Sequence, residues 1–158
     1  MTITLLALGK IKDRALQRLI DKYCQRIQHY TRFEYIELSA EKRKKTENDT
    51  CVKKRESEKI QKQLLPHDFI VALDERGLEY CSMDFAKFLE KQQIRGNRKR
   101  LVFVTGGATG FSETFLRSAD LCLALSKMTL PHQLCRLLFV EQLYRAFSII
   151  AGEPYHNA

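Results

Sequence analysis

Three short stretches in the second half of the chain carry residue types that could do chemistry. GGATG at residues 106–110 is a glycine-rich turn, LSKMTLPHQL at 125–134 a polar hinge, and GEPYHNA at 152–158 a tail with an aromatic beside a histidine. Between hinge and tail, Glu141, Arg145 and Ser148 fall at i, i+4 and i+7 and so share one helix face. Taken locally, that stripe is an ion pair worth a few tenths of a kcal/mol. On a helix as apolar as this one, a dimer seam or a substrate pocket explains it equally well. Tyr155 and His156 read at their plainest as a frayed chain end. The pair can also stack on a base and exchange a proton near neutral pH.

The glycine stretch is not a known phosphate cradle. Gly106, Gly107 and Gly110 give GGxxG where a dinucleotide site needs GxGxxG, and Phe111-Ser112 stands where a P-loop needs Lys-Ser/Thr. The remaining local reading is a tight strand-to-helix turn. Metal chemistry is not expected either. Cys24, Cys51, Cys81, Cys122 and Cys135 form no CxxC pair and none lies at ligand spacing from a histidine. Cys122 and Cys135 sit in apolar runs and read as small core residues. Free thiols suit a reducing compartment.

The totals favour one globular domain spanning residues 1–158, with 44% hydrophobic and 29% charged residues. No run approaches the roughly 20 apolar residues of a membrane span. The opening MTITLLALGKIKDR has no basic region ahead of its apolar run and reads as a strand rather than a leader. A cytoplasmic location is therefore expected, with no membrane partner. Lys and Arg number 27 against 19 acids, a formal charge of +8, which favours a polyanionic partner such as nucleic acid.

Elements that could position these stretches follow from hydrophobic spacing. Residues 3–8, 33–38, 69–73, 101–104 and 120–125 read as strands, most of them apolar on both faces. Helices are expected over 11–27, about 50–65 and about 82–94, the last capped by Ser82, with a short one after Ser112. A final helix runs from Pro131 to about residue 151, and AEKRKKTENDT at 40–50 is expected to be a solvated loop. Strands apolar on both faces alternating with helices predict an α/β fold: a mainly parallel sheet with helices on both faces. Ligands sit at the carboxyl ends of such strands. Three loops qualify there: the polar turn Asp74-Glu75-Arg76-Gly77, the glycine turn and the hinge, so one shared pocket is expected. The final helix is apolar almost all round, which calls for burial on a second side, most simply in a symmetric dimer.

The hinge, LYRAFSIIAGEPYH, GGATGF, the opening ITLLALGKIK and the VALDERG turn occur in one order along the whole chain. In these blocks the chain resembles the small RlmH-type members of the SPOUT methyltransferases, which methylate N3 of a pseudouridine in 23S ribosomal RNA. The resemblance implies a C-terminal deep trefoil knot, an obligate homodimer and S-adenosylmethionine as cofactor. It implies cofactor contacts at Leu73, Gly106 and along Leu125, Ser126, Lys127, Met128, Thr129 and Leu130. The assembled 70S ribosome is the implied substrate.

Candidate catalytic residues are then Arg145, to steady negative charge on the base or fix a phosphate, and His156, to accept the N3 proton. Tyr155 would stack or hydrogen-bond, and Glu141 would orient Arg145. Relatives carry a basic residue after Tyr-His where this chain has Asn157. Lys42, Arg43, Lys44 and Lys45 are candidate RNA contacts that compensate, or else simply part of a solvated loop. The alternative class is a non-enzymatic basic protein that docks on ribosomes as an assembly or silencing factor.

Overall fold

In the computed structural model, which describes residues 1–43, 46–95 and 99–156, strands and helices alternate along the chain. They are β1 (Thr2–Leu8), α1 (Arg14–Ile27), β2 (Arg32–Leu38), α2 (Asp49–Gln61) and β3 (Asp68–Glu79). There follow α3 (Ser82–Arg95), β4 (Arg100–Thr105), α4 (Glu113–Ser118), β5 (Leu121–Ala124) and α5 (His132–Ile150). The strands pair in the order β2-β1-β4-β3-β5, every neighbour parallel. Central β4 shows why both faces need cover. Leu101 and Phe103 enter one core while Val102 and Val104 enter the other, the alternation a strand imposes. The first core receives α1, α3 and α5 through Ile20, Leu89 and Phe139. The second receives α2 and α4 through Ile60 and Phe115.

Helix starts follow local chemistry, with one exchange. Asp13 accepts from the N–H groups of Ala15 and Leu16 at 2.7 and 3.1 Å, and Asn48 and Ser112 cap α2 and α4. At α3 the expected cap, Ser82, is already helical. The first-turn bond runs from Phe85 N–H to the Cys81 carbonyl at 2.9 Å, and Asp84 N–H reaches the Cys81 sulfur at 3.4 Å. Cys81 therefore holds the capping place. Ser82 instead donates its hydroxyl to Gln142 of α5 at 2.9 Å.

Two other expectations change. Asp74-Glu75-Arg76-Gly77 does not end its strand: Leu73 and Leu78 both register against Leu123, so these four residues bulge out of a strand that then resumes. Resumption depends on Gly77, where a Cβ would lie 2.5 Å from the Cys122 carbonyl carbon. The 40–50 segment is not bare either. Glu41 and Glu47 pair with Arg55 of α2, the first at 3.1 Å, and Lys59 pairs with Glu41. The helix they brace ends at Gln61, short of residue 65.

Helix α5 packs Phe139, Val140, Leu143 and Phe147 into the first core, yet Leu134 on its outer flank stays 44% exposed. Its register is set by Arg136, which is fully buried. The guanidinium donates to the Gly9 carbonyl at 2.9 Å, to the Tyr35 oxygen at 3.3 Å and to the Leu8 carbonyl, and it pairs with Glu37 at 3.2 Å. Arg136→Met keeps much of the packing volume and removes all of these bonds. Because Glu37 retains some water contact, the expected cost is about 2–4 kcal/mol. Thermal unfolding followed by circular dichroism should show a melting temperature lower by roughly 5–15 °C.

Candidate active site

The three bends read from the sequence close on one cavity of about 790 Å³. The β3 bulge supplies Leu73, Asp74, Glu75 and Arg76, and the glycine turn supplies residues 105–111. The hinge supplies Leu125, Ser126, Met128, Thr129 and Leu130, and the first turn of α5 adds His132 and Cys135. Of the expected cofactor residues, only Lys127 is not in the wall. It is exposed, with its ammonium 3.8 Å from Glu79.

Each wall is held by its own bonds. Ser126 Oγ accepts from Met128 N–H at 2.9 Å, an ST-turn that shapes the hinge. Thr129 donates to Glu75 at 2.7 Å, joining hinge to bulge. Arg76 reaches back to Asp74 at 2.9 Å and across to Glu113 of α4 at 2.8 Å. Burial opposes ionisation of Asp74, but the bonds and charge of Arg76 outweigh it and hold the carboxyl below its usual range. Gly110 turns the chain with φ +76°, where a side chain would strain the backbone.

The glycine turn rests on α2. A Cβ on Gly107 would lie 2.7 Å from a carboxylate oxygen of Glu56, and Ser57 and Ser112 share a hydroxyl bond of 2.7 Å. Glu56 itself is buried. Burial pushes its carboxyl upward against the Glu41 N–H that favours the ionised form. The hydroxyls of Thr105 and Thr109, both in the cavity wall, are buried without a hydrogen-bond partner among the described residues. Both keep unused hydrogen-bonding capacity beside the cavity. The cavity holds no activated thiol, since burial pushes Cys135 up to about 11. His132 is shifted down by burial and then by Arg136, which favours its neutral form.

The other candidates assemble elsewhere. Arg145 contacts Glu141 Oε1 through Nε at 3.0 Å and Nη2 at 2.5 Å. Tyr155 donates to the same oxygen at 3.1 Å, its ring lies 4.8 Å from the Arg145 guanidinium, and His156 Nδ1 is 3.4 Å from Arg145 Nη1. The tail is thus docked rather than frayed. Burial, then Tyr23 and Glu141, push the Tyr155 phenol up, so it stays protonated at neutral pH. Ser148 leaves the stripe by bonding its own helix at the Arg145 carbonyl, 2.8 Å away. From Cys135 in the cavity wall to Arg145 is ten residues of helix, about 15 Å. Within one chain the cavity and this cluster are separate.

Of the basic loop, Lys42 is exposed, while Arg43 pairs with Asp49 at 3.0 Å. Lys44, Lys45 and Asn157 lie outside the described residues. Sequence reasoning missed Arg136, Glu56, Lys53 in the cavity wall and Tyr23, whose hydroxyl lies 3.3 Å from that of Tyr155. For two of them a signal existed: Arg136 interrupts an apolar helix, and Glu56 stands four residues from both Val52 and Ile60 on one buried face.

Among the described residues no group of His, Cys, Asp or Glu could hold a metal ion, and the chain as a whole has relatives. The family described as "Predicted SPOUT methyltransferase" matches residues 1–156. A "Ribosomal RNA large subunit methyltransferase H" of Christiangramia forsetii is 43% identical over 99% of both chains. One of the same name from Carboxydothermus hydrogenoformans is 42% identical over 99% of this chain and all of that one. A solved structure, the SpoU methyltransferase AviRb of Streptomyces viridochromogenes, superposes with a TM-score of 0.45 at 8% identity, covering 96% of this chain and 61% of that chain. By its end-to-end family match and these full-length relatives, the chain belongs to the SPOUT methyltransferases.

Proposed function

We propose that the protein transfers the methyl group of S-adenosylmethionine to N3 of a pseudouridine in the 23S ribosomal RNA of the large subunit. It would work in the cytoplasm on the assembled 70S ribosome, as a homodimer whose C-terminal half is threaded as a deep trefoil knot. The name borne by the relatives supports the RNA class. The observation that carries the reading is the convergence of Leu73, Gly106 and the hinge on one cavity. A ribosome-docking factor without enzymatic activity would leave that cavity without a use.

The cavity fits this cofactor on its chemistry. Leu73, Leu125 and Leu130 offer apolar surface to an adenine ring. Thr105 and Thr109 hold hydroxyls ready for a polar group, and Gly106-Gly107 allows close approach to the backbone. When bound, the cofactor supplies a methyl activated on a sulfonium. What remains falls to side chains. N3 of the base bears a proton at neutral pH, so a group must accept it while another steadies the charge that develops. Arg145, held by Glu141, is the permanent cation for that charge. His156 accepts the proton: with Nδ1 facing Arg145, Nδ1 is the basic nitrogen of that tautomer. It becomes available when Arg145 turns to the substrate. Tyr155 packs the base. Because about 15 Å of α5 separates this cluster from the cavity in one chain, one subunit's cluster serves the other subunit's cofactor.

Three experiments test this. Isothermal titration should show S-adenosylmethionine binding to the purified protein, and Gly107→Ala, which drives a Cβ against Glu56, should weaken it by about 1–3 kcal/mol. Labelled methyl should pass from the cofactor into purified 70S ribosomes in preference to free rRNA. Arg145→Ala and His156→Ala should each slow that transfer roughly 10²–10⁴-fold with cofactor affinity kept; full-rate labelling by the double variant would end the assignment. Finally, at a cofactor concentration low enough to leave Gly107→Ala homodimers idle, heterodimers pairing an Arg145→Ala chain with a Gly107→Ala chain should regain about half of wild-type activity, since one of the two composite sites is intact. No recovery would place the site within one chain.

A further inference from the structure

Four cations of α1 stand at a constant spacing: Arg14, Arg18, Lys22 and Arg26, each four residues after the last. Each step rises about 6 Å and turns about 40° beyond a full circle, so the four form a slowly winding ridge about 18 Å long. The first three are exposed and Arg26 is half-buried. None of the four has an ion pair among the described residues. The acids of this helix are engaged otherwise, Asp13 as the cap and Asp21 by Gln17 at 2.8 Å.

Such a ridge is unfavourable for the isolated fold. Like charges at i, i+4 repel. Arg14 opens a helix whose first turn has no acid beyond the capping Asp13, at the end where the helix dipole disfavours cations. Some cations elsewhere are neutralised within the fold, as Arg55 and Lys59 are by Glu41. The ridge also leads somewhere. Arg26 lies 5.8 Å from the ring centre of Tyr23 and 5.3 Å from that of Tyr144. Tyr144 packs edge-on against Tyr155 at 4.7 Å, the ring under Arg145.

We infer that Arg14, Arg18, Lys22 and Arg26 form a track for the phosphate backbone of the RNA substrate, leading it along α1 to the Tyr155–Arg145 cluster. The inference rests on the RNA-methylation reading and deepens it by naming where the substrate strand lies. Cations in a row with aromatic rings at the end match a nucleic-acid strand, whose phosphates release counterions onto the row while a base stacks beyond it.

The test changes all four to Gln and measures binding to purified 70S ribosomes between 50 and 200 mM salt, alongside methyl-transfer kinetics. The slope of log affinity against log salt should fall by about 3. The KM for ribosomes should rise roughly 10- to 100-fold, with the loss mainly in KM. The melting temperature should hold or increase as repulsion is relieved, and S-adenosylmethionine affinity should be unchanged. Arg14→Lys, Arg18→Lys and Arg26→Lys together should retain most of the binding. Removing four exposed cations elsewhere (Lys54, Lys62, Lys91 and Arg117) should matter far less. Equal losses in the two quadruple variants would overturn the track. So would a loss of heparin binding with ribosome binding intact, which marks a general polyanion patch. Failure of the wild type to methylate any ribosome would defeat the proposed function instead; the binding slopes would still report on the track.

Discussion

A guanidinium sealed from water must find partners inside the protein, and the two terminal nitrogens of Arg136 find them where β1 and β2 end, at Leu8, Gly9, Tyr35 and Glu37, while its Nε has none among the described residues. The apolar contacts of α5 through Phe139, Leu143 and Phe147 are strong but not directional, and would tolerate some rotation or sliding. Hydrogen bonds from a planar, fully buried group do not. They fix which face of α5 looks at the sheet and how far along it the helix sits. His132, one turn before Arg136, and Cys135, directly before it, form cavity wall; nine residues after it, Arg145 meets Glu141 and His156. A single buried cation therefore sets two functional regions on one rigid rod.

What was legible in the sequence was whatever local pattern decides. Residues 101–104, apolar on both faces, had to be an inner strand of a parallel sheet, and they lie at its centre. Once the sheet is parallel, its loops open at one end, so Leu73, Gly106 and the hinge were bound to meet. What was not legible depends on approaches between distant parts of the chain. Gly77 looks like a turn glycine until Cys122 is seen against it, and only that contact lets β3 resume. Tyr155 looks like tail until Tyr23, 132 residues away, meets its hydroxyl. Glu56 reads as one more charge on a charged helix, because nothing local says that a glycine turn will cover it. Lys127 belongs to the hinge by position, yet its side chain turns outward to Glu79.

The chain's cations fall into a paired and an unpaired group. Several cations are matched: Arg76 by Asp74 and Glu113 beside the cavity, Arg55 by Glu41 and Glu47 ahead of α2, and Arg100 by the buried Asp68 at 2.5 Å where β4 starts. What these pairs hold in place is backbone geometry: the bulge, the segment ahead of α2 and the start of β4. Among the unmatched cations, Arg14, Arg18, Lys22 and Arg26 stand in one row along α1. Salt acts differently on the two groups. Charges held in short, partly buried pairs are weakly screened, whereas a ridge of exposed cations loses its pull on a polyanion as ionic strength rises. A protein built this way can take hold of a large charged substrate and let it go without disturbing the pocket that holds its small cofactor, because the long-range attraction and the short-range fit reside in different residues.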